Sequence, residues 1–458
     1  MNYLEYLAAT KAGPIPSEMA FPREEYAARV AALRKAMAAR GLDALALCDP
    51  GNMYYVAGYY TFETSVHGCV VLPLVGEPFI QVLAIEASNP LIKGWLSDIV
   101  AYTRAEPEMM SRQLVDRFTR LGIRAGRIGL DASLPGLRLQ VFREIQEALP
   151  RARFEDATDL LMAQRRVKSA REIAYHREAA RFTVLGMKAA RAELRAGASE
   201  NDIAAAAYAA MVRAGSEFMS IQPIVASGHR HAYNHLHFFR RKLQAGDSVM
   251  LEFGGTYHRY TSPMIRTGYI GTPTAEFLKI SDAAREAADR ILAFAAPGRT
   301  CDEVTREALK AYAKVEDVAY HYGGYGYGVG AQFPPSWVEP SAFFVVNNRT
   351  VLEPGMLFHL PICYRVPRRF AAGYSETILI TEKGCEALTD NDRQLYIGPV
   401  GPRTTSARSR AKPPRTKAHR TKAGPRRKAA RTPSRSVPAR GAKKSRARGR
   451  AKSAPRTR

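Results

Sequence analysis

The stretch LEFGGTYHRYTSPMIRT, residues 251–267, holds one carboxylate, Glu252, and has Pro263 eleven positions after it. A proline side chain offers a cation no donor atom, so this segment supplies one carboxylate at most. The runs around it read as strands: IQPIVAS (221–227), DSVMLEFGG (247–255) and TGYIG (267–271). Upstream, RRVKSAREIAYHREAARFTVLGMKAARAEL (165–194) is a long amphipathic helix. Ser199, with Asp202 three residues on, heads another. Downstream, helices fit 275–295 and 301–315, separated by Pro297-Gly298, with Thr300 and Glu303 as a capping box. FFVVNN (343–348), MLFHLPICYR (356–365) and ETILITE (376–382) are again strand-like. Helix pairs set against antiparallel strands imply an α+β domain over 161–398.

Residues 1–160 have a different grammar. A helix over 23–41 closes at Gly41, and LDALALC (42–48) follows as a buried strand. DPGNMYYVAGY (49–59) reads as a turn leading into a short aromatic segment. CVVLPLV and PFIQVLAI form a strand pair joined at Gly76-Glu77. Residues 127–160 alternate strand and helix, which implies an α/β domain.

Of the net charge of +25, most lies in the tail: residues 401–458 carry 22 Lys plus Arg and no Asp or Glu. The preceding 400 residues are near neutrality, so the body's charge excludes nothing about partners. The 399–458 segment lacks apolar periodicity and is expected to be disordered. It suits non-specific binding of nucleic acid or another polyanion through counterion release, or is a solvated extension with no role. Five scattered cysteines without a CxxC pair indicate reduced thiols and no zinc knuckle. The N-terminus lacks a signal-peptide pattern, and Pro73, Glu77 and Pro78 interrupt the most apolar run. A cytoplasmic protein with no membrane contact is expected.

Several motifs together resemble the creatinase, aminopeptidase P and prolidase family over residues 22–398. DPGNMYYVAGY is similar to that family's N-domain loop, and RRVKSAREI (165–173) to the linker entering its catalytic domain. SGHRHAYNH (227–235) ends where the family places a substrate-contacting histidine. LEPGM (352–356) and SETILITEKG (375–384) are similar to its closing strands. The resemblance implies a pita-bread catalytic domain preceded by a creatinase-like α/β domain. It also implies a homodimer in which one subunit's N-domain helps close the other's pocket. Metal-using members place two Asp eleven residues apart, a His in GHGIG, and two Glu. Those positions fall here at Glu252, Pro263, Tyr325 in GYGYG (324–328), Leu360 and Glu376. Two carboxylates in five positions do not hold two cations, so no metal or other cofactor is expected.

Carboxylates left without cations need a counter-charge, and a planar amidine supplies both charge and N–H donors. The ectoine hydrolase-like branch shares Glu252, Arg259-Tyr260, Pro263 and His359 with Pro361. That resemblance implies that Glu252 attacks or activates an amidine carbon, that His235 is general acid/base, and that Glu376 orients the cation. Tyr60, Phe62, His67, Arg266, Tyr325 and His359 are the substrate-contacting candidates. Arg266 is equally readable as a structural ion pair, and His359 as a satisfied strand histidine. YTFETSVH (60–67) has fewer aromatics than that branch, and WVE (337–339) lacks its Asp, so the pocket fits a somewhat different small molecule. The implied activity is metal-independent hydrolysis of a C–N bond in a small amidine- or guanidine-like substrate. Two alternatives stay open. One is a metal-dependent Xaa-Pro peptidase using His235, Glu252, His359 and Glu376. The other is a catalytically silent binding protein tethered to nucleic acid by its tail.

Overall fold

The computed structural model describes residues 3–389 and 392–401. The helix Arg23–Arg40 ends at Gly41, whose φ of 72° is the left-handed cap that glycine accepts most readily. Six strands follow: β1 (Ala44–Leu47), β2 (Cys69–Pro73), β3 (Phe79–Leu83), β4 (Ile99–Tyr102), β5 (Arg127–Leu130) and β6 (Arg153–Asp156). They form one mixed sheet in the order β4-β3-β2-β1-β5-β6. β1, β2 and β3 are buried at every position, which is why they read as unbroken apolar runs rather than alternating ones. DPGNMYYVAG departs from the expected turn: Pro50–Ala57 is a helix. Asp49 caps it by accepting from the Asn52 N–H at 3.0 Å, Pro50 occupies its first turn, and Gly58 ends it at φ 73°. The helix Thr158–Arg166 runs through residue 160, and its Leu161 and Met162 pack into the N-terminal core.

The C-terminal half begins with the helices Ala170–Glu193 and Glu200–Arg213, both opened by the capping boxes Ser169/Glu172 and Ser199/Asp202. They pack on β7 (Ile224–Ser227), β8 (Ser248–Tyr257) and β9 (Tyr260–Ile270). β8 and β9 pair from Ser248↔Tyr269 to Tyr257↔Tyr260, leaving a two-residue turn at His258 (φ 45°) and Arg259 (φ 65°). Neither is glycine, so the left-handed turn is held from outside. The buried Arg259 donates to Phe218 O at 2.6 Å, Ser220 Oγ at 2.8 Å and Gln332 O at 2.9 Å. Pro263 sits opposite Gly254, where a Cβ would come within 2.7 Å of Thr261 Cγ2.

The helices Ala275–Phe294 and Cys301–Tyr312 cover the second half of the domain. Its strands are β10 (Gly326–Val329), β11 (Val338–Phe344), β12 (Leu357–His359), β13 (Ile362–Val366), β14 (Phe370–Tyr374), β15 (Thr377–Ile380) and β16 (Cys385–Ala387). β11-β10-β12-β15-β16 form one sheet, and β13-β14 a separate hairpin. β17 (Tyr396–Gly398) joins β9 in parallel. MLFHLPICYR is therefore two strands in two sheets. The break falls at Pro361, which has no N–H, and Ile362 N–H bonds back to Leu360 O at 2.7 Å in a three-residue turn.

A buried ion cluster ties the halves together. Arg165 donates to Asn52 Oδ1 and Ala331 O, both at 2.7 Å, and lies 3.0 Å from Glu339. Lys168 lies 2.6 Å from the same carboxylate. Among the described residues no helix is long and apolar enough to cross a membrane, and all five cysteines are free. The expectations for the tail fall, beyond residue 401, outside the described residues.

Candidate active site

A cavity of about 500 Å³ opens between β7, β8, β9, β10 and β13. β8 turns Met250 and Glu252 into it, since alternate strand residues share a face. Ile265 faces Glu252 across the β8–β9 ladder. Glu252 is only 7% exposed, and its carboxylate has neither a hydrogen bond nor an ion-pair contact among the described residues. Burial pushes its pKa up to about 7, with the positive charge of Arg365 opposing.

Arg365 enters the same cavity from β13. Its backbone is clamped on both sides. Tyr320 N–H donates to Arg365 O at 2.7 Å, Arg365 N–H to Tyr320 O at 3.0 Å, and Ala371 of β14 pairs opposite. Its Nη1 donates to Cys363 O at 3.1 Å.

A fixed polar chain forms one wall. Trp337 Nε1–H donates to Tyr327 Oη at 2.8 Å, and Tyr327 Oη lies 2.9 Å from His359 Nδ1. His359 Nε2 is 2.7 Å from Ser375 Oγ, which also accepts the Ile265 N–H at 2.6 Å. Burial pushes the His359 pKa down to about 3, so its ring is neutral. At the mouth, the exposed loop after β7 supplies Asn234, His235 (φ 55°) and His237.

The structure thus brings His235 and Glu252 into one cavity. The other sequence candidates lie elsewhere. Glu376 is fully buried and does not line the cavity. Its Oε1 is 2.5 Å from Arg266 Nη2 and 3.3 Å from Arg393 Nη1, and its Oε2 accepts from Thr389 at 2.6 Å. With both oxygens engaged it is not placed to orient a substrate cation, and Arg266 is its ion-pair partner. Tyr325 is buried in the core of the second half, its ring centroid 4.3 Å from that of His321. Tyr327, two residues on, lines the cavity, as does Tyr322. GYG occurs twice in GYGYG, and the register two residues later is the one that faces the ligand space. His359 touches the cavity only through Tyr327 and Trp337. Tyr60 packs on Phe218 and Phe333 beneath Arg259, with its Oη 3.4 Å from Glu217. Phe62 is 72% exposed. His67 is buried inside the N-terminal domain, and burial pushes its pKa down to about 4. It lines a small apolar void inside that domain and is not among the residues lining the Glu252 cavity. Arg365 and Tyr327 are not singled out from sequence, and Trp337 is marked only as part of the WVE motif. Nothing in ICYR marks its arginine, whereas the doubled GYG was a usable signal for Tyr327.

The residues do not fit a dinuclear metal centre. Glu252 is the sole carboxylate among the described cavity-lining residues, Glu376 is committed to Arg266 and Thr389, and His359 is bonded through both nitrogens. Among the described residues no three His, Cys, Asp or Glu converge as ligands. Two cations need several oxygen donors and a shared hydroxide.

Residues 29–167 match the Creatinase/Prolidase N-terminal domain family, and residues 174–382 match Metallopeptidase family M24. The chain is 31% identical to the ectoine hydrolase of Halomonas elongata over 84% of its own length and all of that protein. It is 27% identical to the Xaa-Pro dipeptidase of Pyrococcus furiosus, covering 80% of this chain and 99% of the other. Among solved structures, the prolidase of Thermococcus sibiricus superposes with a TM-score of 0.73 at 21% identity, over 81% of this chain and 99% of that one. Dipeptidase PepE of Mycobacterium ulcerans gives 0.70 at 26% identity, over 83% and 100%.

Proposed function

The chain belongs to the creatinase/prolidase family of hydrolases, and from that premise we propose that it hydrolyses a C–N bond of a small amidine without a metal ion. The observation that carries the reading is Glu252, a buried carboxylate open to the cavity with no partner among the described residues, in a site whose donors do not suit two cations. The 31% identity to an ectoine hydrolase supports the same substrate class, with ectoine as the first candidate.

With a pKa near 7 the empty site holds Glu252 partly protonated at neutral pH. A cationic amidine entering beside it favours the carboxylate and ionises it. The Glu252 oxygen then adds to the amidine carbon, and the C=N π pair moves to nitrogen. His235 at the mouth protonates the departing nitrogen as the C–N bond breaks. Water adds to the same carbon, its proton returns to His235, and the carbon–oxygen bond to Glu252 breaks. The balance is amidine plus water giving an amide and an amine. On this reading a second copy of the chain covers the mouth, with exposed Phe62 at the contact, and light scattering is expected to report a dimer.

Ring opening of ectoine, followed by NMR on protein whose metal content has been measured, tests the reading. Turnover with under about a tenth of a metal equivalent per chain is expected. Glu252→Gln is expected to lower kcat at least ~1000-fold, as removal of a nucleophile does. Full turnover by that variant would sink the assignment. So would Xaa-Pro dipeptide cleavage that a chelator abolishes, which is the outcome a rearranged metallopeptidase gives.

A further inference from the structure

We propose that Arg365 is the subsite for a carboxylate on the substrate, so that the cavity takes a zwitterion, with a planar cation at Glu252 and an anion at Arg365. The inference rests on the reading of Glu252 given above and extends it to the other end of the ligand.

Opposite charges buried in one cavity attract strongly, and left to themselves they close into an ion pair. Glu252 and Arg365 sense each other but are not in contact. The cause is mechanical. Tyr320 and Ala371 hold the Arg365 backbone, and Cys363 O holds Nη1, so the guanidinium cannot swing onto Glu252. Two fully buried arginines show the contrast. Arg165 is satisfied by Asn52, Ala331 and Glu339, and Arg259 by Phe218, Ser220 and Gln332. Arg365 makes one side-chain hydrogen bond among the described residues, from Nη1 to Cys363 O. Its remaining Nη donors are left to take a ligand oxygen in the cavity that Arg365 lines.

The surroundings select for charge. His231 and His321 pack near Arg365, and burial, aided by that arginine's charge, pushes both down to about 3, so they stay neutral. Glu252 then offsets the charge of Arg365. A ligand that is only a cation would engage Glu252 and leave Arg365 uncompensated. A zwitterion leaves the cavity neutral and gives the guanidinium fork the planar two-oxygen acceptor it matches best.

Titration calorimetry on the full chain, with ectoine and with the same cyclic amidine lacking the carboxylate, is the test. Wild type is expected to prefer ectoine ~10–100-fold, the worth of a charged hydrogen-bonded contact. In Arg365→Met that preference is expected to shrink to within about threefold of unity, and in Arg365→Lys to an intermediate value. An unchanged preference in either folded variant overturns the proposal, as does a wild type that binds neither ring or both equally. Near-UV circular dichroism establishes folding, and if the Met variant fails it the Lys variant decides. Carboxylate discrimination without ring opening would leave the Arg365 subsite standing and remove the Glu252 chemistry. Ring opening that depends on Glu252 but ignores Arg365 would do the reverse.

Discussion

Glu252 ties activity and stability to pH in opposite senses. Its reactive form is the carboxylate, so kcat/KM is expected to rise with pH through a midpoint near 7 in the free enzyme. Stability runs the other way. Below the ordinary Glu value of 4.5 both folded and unfolded states hold the proton, and the burial penalty is absent. As pH rises towards 7 the unfolded chain ionises first, and the stability is lost until the folded group ionises too. Glu252→Gln removes that penalty. The variant is expected to melt above wild type at pH 8, by up to about 3 kcal/mol, and close to it at pH 5, in a calorimetric comparison. Equal melting at pH 8 would mean that the carboxylate is solvated after all. Glu376 should behave differently. Glu376→Ala leaves the buried Arg266 guanidinium without its carboxylate, and a loss of about 3–5 kcal/mol in urea unfolding is expected.

The loop into β11 acts as one unit because its ends are anchored to different things. Trp337 hydrogen-bonds Tyr327 at the cavity wall, while Glu339 neutralises both Arg165 and Lys168. Arg165 in turn reaches Asn52 in the N-terminal domain. Glu339→Ala takes the near carboxylate from two buried cations at once, leaving Arg165 with Asp49 at 3.9 Å. It is expected to lower stability by about 3–5 kcal/mol and to raise KM, because the Trp337 wall is carried on the same segment. A KM unchanged in folded variant protein would mean that the wall is held by Tyr327 alone. The element starts here follow from short-range chemistry. Ser169/Glu172, Ser199/Asp202 and Thr300/Glu303 each close a capping box within three residues.

Among the described residues, five buried histidines are kept neutral. Burial pushes His67 down to about 4, and His176, His231, His321 and His359 to about 3. Their depressed values make folding sensitive to acid. Below about 6.5 the unfolded chain binds protons that the folded chain refuses, so stability falls with pH until the folded values are reached. Each such histidine contributes up to ~1.4 kcal/mol per pH unit, so cooperative unfolding is expected well above pH 4. Circular dichroism against pH checks this, and a melting temperature flat from pH 7 to 4.5 would contradict it.

The helix pairs, the caps, most strands and the family membership were legible in residue order, because periodicity, capping and turn chemistry act over a few neighbours. Pro263 and Glu252 carried the argument about metals in the same way, since a missing donor atom is a property of the residue itself. Roles inside the site were not legible. Glu252 and Glu376 are alike as residue types, yet one faces an open cavity and the other is closed by Arg266, 110 positions away. Tyr325 and Tyr327 share one repeat, and packing sends the first into the core and the second to the wall. His67 sits in a motif-like segment but is sealed in its own domain. Arg365 carried no mark at all until β13 left the sheet of β12 and was clamped against Tyr320. Which polar groups end up paired depends on contacts between segments far apart in the chain, and only close packing in three dimensions settles those.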